Sequence, residues 1–468
     1  MSRRNRAAKL AILLGCVLSV GLDQAKAGSP QDIGAISAPA VPLQLAVAGT
    51  PGSVQVVSIA QRGTLSDATI NGAVDAAVAS GGTAVPGRGF QIGLRRVLRG
   101  ATVVQQSFGP GWGFPMSVTA LPLDAVRAVM GRAIAGTVGP GFLVMGKTTA
   151  DMRGAKAGDQ VELISASGAI ATFWIGRVVP DDEIGGTEIL MTTDVATALG
   201  ITTNTRVLIF GNFDRQILDY LLTVVGLLGN PRVQVWHSWD APTADGVMSL
   251  LQTKQVMGEF DLYYAGLVSG SVWVERNEGW SQTNLPAVRY EYPTGIVARC
   301  HNVIHSDLVA ALAEVAGLAT LYPELVNINP NPASQSTGLD IANTNSSGGC
   351  ATPHTARLSR TGISTGIVSR HSWGMALDTS TAANCQGCIP VMDCRIVRIF
   401  RKHNFAWGGS FLTPDGMHFE WVGERRDLVQ NPKSPCPNLT PPAVQSVNPP
   451  PRRSDLSRLF ADDGWAGE

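Results

Sequence analysis

Apolar residues recur at helical spacing in one early segment and form short runs bounded by turn residues in later ones. Residues 66–80 carry apolar positions three and four apart, which predicts a helix with one apolar face. Further along, the short and largely apolar runs at residues 160–164 and 171–175 lie on either side of the run Ser-Ala-Ser-Gly at 165–168. That arrangement predicts two strands joined by a turn.

Two further helices are predicted from similar patterns. Residues 194–199 favour a short helix capped by Thr193 or Asp194. A longer amphipathic helix is predicted to begin at Ser306 and Asp307. Its apolar face would carry Leu308, Leu312, Val315 and Leu318. Segments of both kinds in one chain indicate the α+β class, with a β-rich mixed N-terminal region.

The first 27 residues have the features of a secretory signal. Basic residues come first, an apolar stretch follows at residues 10–22, and Ala25-Lys26-Ala27 forms an A-x-A cleavage site. Cleavage there would release the chain into the periplasm, the cell envelope or the medium. Residues 13–16 also resemble a lipoprotein cleavage box ending at Cys16, but the apolar run before Cys16 is short, so lipid anchoring is the less favoured alternative.

Composition fits a folded, exported protein and excludes two kinds of electrostatic partner. Hydrophobic residues make up 44% of the 468-residue chain and charged residues 15%, below the roughly 25% typical of soluble domains. At about 150 residues per domain, this length predicts two to four domains. The formal net charge is zero, so nothing indicates nucleic acid or an anionic membrane surface as a partner.

Six cysteines remain once the signal is removed, and all lie in or beside the C-terminal region: Cys300, Cys350, Cys385, Cys388, Cys394 and Cys436. An even number in an exported chain favours disulfides, although the sequence leaves the pairing open. An alternative is a second, structural zinc site, whose ligands would be Cys385, Cys388, Cys394 and His403. Disulfides are favoured because thiols in an oxidising compartment usually pair.

Two short runs near the C-terminus carry candidate ligands for a catalytic metal ion. His371 and Asp378 lie in the first run and His418 in the second. Two imidazoles and one carboxylate can bind Zn²⁺ and leave the fourth tetrahedral position open for water, which separates a catalytic site from a closed structural one. Asp415, three residues before His418, is the candidate general base for that water.

The spacing of Asp415 and His418 also predicts local structure. Residues an odd number apart cannot share a face of a straight strand, so a turn or bulge is expected at residues 415–417, with His418 opening the next strand. The remaining histidines match no part of this pattern and are predicted to be structural or solvated: His237, His301, His305, His354 and His403.

The two runs and the Trp407-Gly408-Gly409 element between them match the pattern S-x-H-x-x-G-x-A-x-D, aromatic-W-G-G and D/E-x-x-H-F. This pattern resembles the metallopeptidase family of D-alanyl-D-alanine carboxypeptidases and L-alanyl-D-glutamate endopeptidases (VanY-like, LAS-type zinc peptidases). The resemblance covers residues 295–425. It implies a domain with a small antiparallel sheet and flanking helices, one catalytic Zn²⁺, and peptidoglycan stem peptides as substrates.

The resemblance also implies a cationic residue. Family members place an arginine upstream of the first histidine, where it can hold a substrate carboxylate or an oxyanion. Arg357 is the candidate here, with Arg360 and Arg370 as competitors. Trp373 and Trp407 are expected to be core or cleft-wall aromatics, with substrate contact as a further candidate role.

The sequence therefore predicts an exported zinc peptidase, with D-alanyl-D-alanine carboxypeptidase activity favoured. L-alanyl-D-glutamate endopeptidase activity and a non-catalytic wall-binding or scaffold role are the alternatives. Residues 157–163 resemble extracytoplasmic domains of transporter permeases, which implies a module that contacts an envelope protein partner or positions the enzyme. The predicted divisions are a signal peptide (1–27), an Ala- and Gly-rich segment (28–94), a β-rich accessory domain (95–215), a mixed connecting region (216–294), the zinc-peptidase domain (295–425) and a Pro-rich tail (426–468).

Overall fold

One long strand links two parts of a large sheet in the N-terminal half of the chain. The computed structural model describes residues 55–241, 243–264, 273–291, 296–322, 350, 355–359, 366–379, 381, 383–431 and 433–440. The strands in these ranges are β1 (Val56–Gln61), β2 (Thr83–Arg99), β3 (Thr102–Gln106), β4 (Trp112–Leu121), β5 (Phe142–Gly146), β6 (Gln160–Ile164), β7 (Ile170–Val179), β8 (Ile189–Thr192), β9 (Arg206–Phe210), β10 (Val233–His237), β11 (Leu262–Tyr263), β12 (Trp273–Glu275), β13 (Val288–Tyr290), β14 (Ile296–Ala298), β15 (Thr355–Arg357), β16 (Ala376–Asp378), β17 (Phe405–Trp407) and β18 (His418–Trp421).

The helices are α1 (Asp67–Ala79), α2 (Leu123–Val129), α3 (Arg132–Ala135), α4 (Lys147–Arg153), α5 (Thr193–Ala198), α6 (Arg215–Val224), α7 (Leu250–Met257), α8 (Glu278–Asn284), α9 (His305–Leu321) and α10 (Cys394–Lys402). Short 3-10 turns lie at Asp181–Ile184, Asn302–Ile304, Arg370–Trp373 and Gly408–Ser410. The predictions for the signal peptide, Cys16, His354, Arg360 and residues 441–468 lie outside the described residues.

Six strands close into a barrel-like sheet. Strands β2, β6, β7, β5, β8 and β4 pair in that order, and β4 returns to pair with β2. Neighbouring strands are antiparallel except β5 with β7 and β4 with β8. Alternate residues of β2, namely Phe90, Ile92 and Leu94, are buried in one hydrophobic cluster with residues of the other barrel strands. Packing of alternate side chains inside the barrel therefore stabilises its closure.

The first half of β2 extends beyond the barrel and continues the sheet. It pairs with β9, β9 pairs with β1, and β1 pairs with β10, all antiparallel. Helix α1 packs on β2 and β9, and Ser66 caps it by accepting a hydrogen bond from the N–H of Thr69 at 3.2 Å. The helix predicted at residues 66–80 is thereby confirmed. Since β2 runs across residue 95, one strand serves both parts of the sheet, and the predicted domain divisions stay a prediction.

The local predictions in the barrel are confirmed with one correction. The two predicted strands are β6 and part of β7, and Gly168 in the turn between them has a φ of 81°, a conformation that glycine adopts readily. The predicted short helix is α5. It begins at Thr193 after Thr192, and no side chain caps it, so the predicted capping by Thr193 or Asp194 is wrong.

A small antiparallel sheet forms the centre of the C-terminal region, as predicted. Its strands lie in the order β16, β18, β17. One face of this sheet packs against α10, where the rings of Phe400 and Phe419 stack with centroids 4.3 Å apart. Leu377 and Phe405 are fully buried in the same cluster. Packing of these apolar side chains therefore fixes the positions of the short strands relative to one another and to α10.

Helix α9 confirms the amphipathic helix predicted from Ser306 onward. Its buried face includes Leu308, Leu312 and Val315, which belong to the C-terminal hydrophobic cluster. By length and composition alone, the helical stretch Asn302–Leu321 could cross a membrane. One face of the helix packs against the C-terminal cluster, and Asp307 accepts hydrogen bonds from Trp421 Nε1 at 2.7 Å and Asn404 Nδ2 at 2.8 Å.

The cysteines form three disulfides, as predicted: Cys300 with Cys350, Cys385 with Cys388, and Cys394 with Cys436. The alternative of a second zinc site is therefore wrong, because its thiols are consumed in disulfides. His403, its fourth proposed ligand, instead contacts Glu314 Oε2 at 2.8 Å. The Cys394–Cys436 bond ties the segment after residue 426 to the start of α10.

Buried polar contacts join the barrel to the C-terminal region. Gln91, in barrel strand β2, accepts a hydrogen bond from the N–H of Val368 at 3.0 Å. Lys254 in α7 is fully buried, and it donates hydrogen bonds to the Glu188 carboxylate beside β8 and, at 2.9 Å, to the Pro115 carbonyl of β4. These hydrogen bonds compensate for the cost of removing the polar groups from water where the barrel meets the C-terminal region.

Asp245 organises the packing around α10 and β17. Its carboxylate accepts two hydrogen bonds from the fully buried Arg401, at 2.8 Å from Nε and 2.6 Å from Nη2. It also accepts the N–H of Trp407 at 3.1 Å and the amide of Asn431 at 2.8 Å. A single buried carboxylate thus connects a helix, a strand and the C-terminal segment.

We predict that Asp245→Ala lowers the free energy of unfolding by about 3–5 kcal/mol, because it leaves a buried guanidinium without its carboxylate partner. Urea unfolding followed by fluorescence measures this. Asp151→Ala is the control, since its exposed pair with Lys147 contributes less than about 1 kcal/mol. Equal stability of the Asp245 variant and this control would contradict the prediction.

Candidate metal centre

Two of the predicted ligands lie directly opposite each other in the small sheet. Asp378 ends β16, His418 begins β18, and the two residues are cross-strand partners. The prediction that His418 opens a strand is therefore confirmed. Opposed residues of an antiparallel pair have side chains on the same face, so the register of β16 and β18 brings the carboxylate and the imidazole together.

The third ligand, His371, is presented by a 3-10 turn. Ser369 starts this turn by accepting the N–H of His371 at 3.2 Å. Gly374 ends it with a φ of 66°, in the left-handed region that favours glycine. The turn leads into β16, so His371 lies beside the face that carries Asp378.

The three side chains converge with distances suited to one metal ion. Asp378 Oδ1 is 3.3 Å from His371 Nε2 and 3.4 Å from His418 Nδ1, and one ligand atom from each residue lies within 4.8 Å of the others. Ligands at 2.0–2.2 Å from a tetrahedral ion are separated by about 3.3–3.6 Å. The donor set and its spacing therefore fit a zinc ion, and all three residues are buried.

A second carboxylate, that of Glu420, lies next to the His418 ring. Glu420 Oε2 is 3.5 Å from His418 Nε2, so this ring nitrogen faces Glu420 while Nδ1 faces Asp378. A carboxylate on the outer nitrogen fixes the orientation of a metal-binding imidazole and raises its basicity. Sequence reasoning missed Glu420, although its position two residues after His418, on the same strand face, was a usable signal.

Arg370 belongs to this supporting layer. Its Nε is 3.2 Å from Glu420 Oε1, and its Nη2 donates to the Met248 carbonyl at 2.6 Å. Arg370 is buried, so it is not a solvated surface charge. The structure gives it a place behind the metal ligands, bound to the residue that orients His418.

Asp415 lies on the turn that precedes β18. The N–H of His418 donates to the Asp415 carbonyl at 3.2 Å, and the N–H of Asp415 donates to the Gly408 carbonyl at 2.9 Å. The turn predicted at residues 415–417 is confirmed. Asp415 is buried beside the ligand His418, while its function as general base stays a prediction.

The Trp-Gly-Gly element explains how closely this turn packs. A Cβ on Gly408 would lie 2.7 Å from the Asp415 carbonyl oxygen and 3.0 Å from His418 Cβ. A Cβ on Gly409 would lie 2.2 Å from the ring of Trp407. The glycines therefore allow the backbone of this element to approach both the Asp415 turn and the indole.

The two tryptophans are core residues, as expected, with no exposed surface. Trp373 Nε1 donates to the Gly258 carbonyl at 3.2 Å, and Trp407 Nε1 donates to the Gly416 carbonyl at 2.9 Å. The structure thus shows both indoles packing and hydrogen bonding behind the site. A contact with substrate stays a prediction.

Arg357 is buried next to the His371 turn. Its N–H donates to Ser372 Oγ at 3.1 Å, and its carbonyl accepts the N–H of Ser369 at 3.0 Å. Strand β15 therefore runs alongside the turn that presents His371. This placement puts the predicted cationic residue beside the cluster, while its role in holding an oxyanion or a carboxylate stays a prediction.

A second buried arginine supports the same turn and was missed by sequence reasoning. Arg276 Nη1 donates to the Ser372 carbonyl, and its Nε donates to Ser281 Oγ at 2.8 Å. Burial lowers the pKa of the Arg276 guanidinium to about 9, because the charged form is desolvated. Its position after β12 gave no local pattern that could have identified it.

The other described histidines have structural contacts. Burial lowers the pKa of His301 to about 4, and its Nε2 contacts the Met257 carbonyl. His305 Nε2 contacts the Cys300 carbonyl. Burial also disfavours charged His237, but hydrogen bonds to Asp219 and Asp240 outweigh that effect and raise its pKa to about 9. These contacts agree with the structural role predicted for them.

Two histidines and one aspartate around a common point, with another carboxylate on the adjacent turn, define a candidate hydrolytic metal centre. Residues 362–421 match the family model described as D-alanyl-D-alanine carboxypeptidase. This match contains the three ligands, Asp415 and the Trp-Gly-Gly element, and is shorter than the predicted span. No curated protein matches the chain. The match and the cluster support a metallopeptidase, and the matched family is zinc-dependent in general.

We predict that Gly408→Ala weakens metal binding, because the added methyl group must displace the Asp415 turn and His418. Metal affinity should fall about 10- to 100-fold, the range seen when groups supporting metal ligands are altered. Competition with a chromogenic zinc chelator measures the affinity. Gly139→Ala is the control, since a Cβ there meets nothing within 4 Å. Unchanged affinity in the Gly408 variant would show that the turn can adapt.

Proposed function

We propose that this protein is an exported, zinc-dependent peptidase that hydrolyses peptidoglycan stem peptides, acting as a D-alanyl-D-alanine carboxypeptidase. The observation that carries the proposal is the convergence of His371, Asp378 and His418 inside the segment that matches the carboxypeptidase family. Asp415, on the adjoining turn, adds the carboxylate that such hydrolysis needs.

The residues of the centre have separate roles in this proposal. His371, Asp378 and His418 would hold the zinc ion, which when bound polarises a carbonyl group and lowers the pKa of water. Asp415 accepts a proton from the attacking water and delivers it to the nitrogen of the leaving amine. Arg357 provides a guanidinium that can pair with a substrate carboxylate or an oxyanion.

Export is part of the same proposal. The basic and apolar run at residues 1–27 and its A-x-A site support secretion, and three disulfides fit an oxidising compartment. The periplasm, the cell envelope or the medium are therefore the proposed locations, with lipid anchoring at Cys16 less favoured. The barrel provides a surface for an envelope protein partner, and the neutral net charge gives no support for nucleic acid binding.

Purified zinc-loaded protein and defined muropeptides test the substrate class. We predict loss of one terminal D-alanine from pentapeptide stems, measured by mass spectrometry. Cleavage between L-alanine and D-glutamate would instead identify the endopeptidase alternative. Binding to peptidoglycan without cleavage of any stem would identify a scaffold and overturn the proposed activity. Removal of zinc with a chelator should abolish cleavage, and added zinc should restore it.

We predict that Asp415→Asn keeps zinc but loses turnover. The amide cannot accept the proton, so kcat should fall by about 10²- to 10⁴-fold, while zinc content by atomic absorption remains at the wild-type level. Asp151→Asn, at an exposed acid in α4 that is distant in sequence from the site, is the matched control. Turnover close to wild type in the Asp415 variant would remove this residue from the mechanism.

A further inference from the structure

A disulfide accessible to solvent lies against the turn that carries Asp415. Cys385 is exposed and its partner Cys388 is half-buried, whereas in the other two disulfides Cys394 is half-buried and Cys300, Cys350 and Cys436 are buried. Exposure makes a disulfide easier to reach for an attacking thiolate. The Cys385–Cys388 bond is therefore the one most open to thiol exchange.

The loop closed by this disulfide is hydrogen bonded to both sides of the turn. The N–H of Gly387 donates to the Pro414 carbonyl at 2.6 Å, just before Asp415. The N–H of Met417, just after the turn begins, donates to the Asn384 carbonyl at 3.1 Å. Gln386 and Asp415 form an antiparallel bridge between these contacts. Backbone hydrogen bonds to the loop therefore hold the segment that contains Asp415.

Close packing reinforces these hydrogen bonds. A Cβ on Gly416 would lie 2.8 Å from Asn384 Oδ1, so the backbone of the turn packs directly against the Asn384 side chain. Asn384 is fully buried, and its Oδ1 accepts the N–H of Val391 at 2.8 Å. On the other side, Arg62 Nη2 donates to the Gly387 carbonyl at 2.8 Å. The loop is therefore held between the end of β1 and the Asp415 turn.

We propose that the Cys385–Cys388 disulfide positions Asp415, and that its reduction by a dithiol lowers turnover while zinc stays bound. The link to turnover rests on the proposed function, in which Asp415 moves the proton. Both cysteines are positioning residues, because they act through the loop on Asp415. The three metal ligands keep their own supports, since His418 pairs with β16 through Asp378 and His371 is held by its 3-10 turn.

The exchange is balanced in two steps. A thiolate of the dithiol attacks Cys385 Sγ, forms a mixed disulfide and releases the Cys388 thiolate. The second thiol of the reagent, as its thiolate, then attacks the reagent sulfur that is bonded to Cys385 Sγ, and the Cys385 thiolate is released. Two electrons pass to the protein, the two cysteine thiolates take up two protons, and the reagent leaves as a cyclic disulfide. The loop between residues 385 and 388 loses its cross-link.

The test is a graded reduction of the zinc-loaded full chain with dithiothreitol. Alkylation and peptide mass spectrometry should find Cys385 and Cys388 modified at reductant concentrations that leave the other four cysteines paired. Amide hydrogen exchange should then accelerate in residues 411–421 but not in β2. In parallel, kcat should fall about 10- to 100-fold, as expected for a displaced reacting group, with KM and zinc content unchanged and activity restored by reoxidation.

The Cys385→Ser, Cys388→Ser double variant should show the lowered kcat without any reductant and respond no further to it. Ile389→Ser, an 86% exposed position in the same region of chain, is the control and should behave as wild type. Opening of a buried disulfide first, or unchanged amide exchange and kcat after the exposed bond opens, would overturn the proposal. If the wild-type protein cuts no stem peptide, the proposed function is wrong. The amide hydrogen exchange of residues 411–421 would still show whether the disulfide holds the Asp415 turn.

Discussion

The antiparallel register of β16 and β18 is the constraint on which the metal centre depends. Asp378 faces His418 only when Leu377 faces Phe419, and both apolar residues are fully buried in the C-terminal cluster. A slip of one residue would turn the ligand side chains to the opposite face and the apolar ones out of the core. Hydrophobic packing on one face of the sheet therefore determines the coordination geometry on the other.

The ionisable side chains buried around the candidate metal centre and on α10 need charged or hydrogen-bonding partners, because their desolvation is costly. Glu420 lies between His418 and Arg370, so each ionisable group has an oppositely charged or hydrogen-bonding neighbour. Asp245 and Arg401 form a comparable buried pair on α10. A buried pair contributes little net stability compared with apolar packing, but it penalises alternative arrangements in which one partner is left alone. These networks favour one geometry around the ligands.

Sequence reasoning identified the three residues that the structure brings together as a possible metal site, because their chemistry and spacing are local. His371, Asp378 and His418 stand in short runs whose residue types suit zinc, and the odd spacing from Asp415 to His418 predicted the turn. Closure of the barrel could not be predicted, because pairing of β4 with β2 and β8 depends on distant segments whose periodicity specifies strands but not partners. The contacts of Arg276 likewise depend on tertiary packing that no local motif encodes.

The hydrogen bond from Val368 to Gln91 bears on how the protein can be divided. Val368 lies three residues before His371, and its backbone N–H is satisfied by a side chain from the barrel rather than by its own region. Phe260, which also precedes residue 295, packs against the same segment, and its ring centroid is 4.6 Å from that of Trp373. A fragment starting at residue 295 would leave that amide without its acceptor and that indole uncovered. Two residues that precede position 295, Gln91 and Phe260, therefore help to support the segment that carries His371.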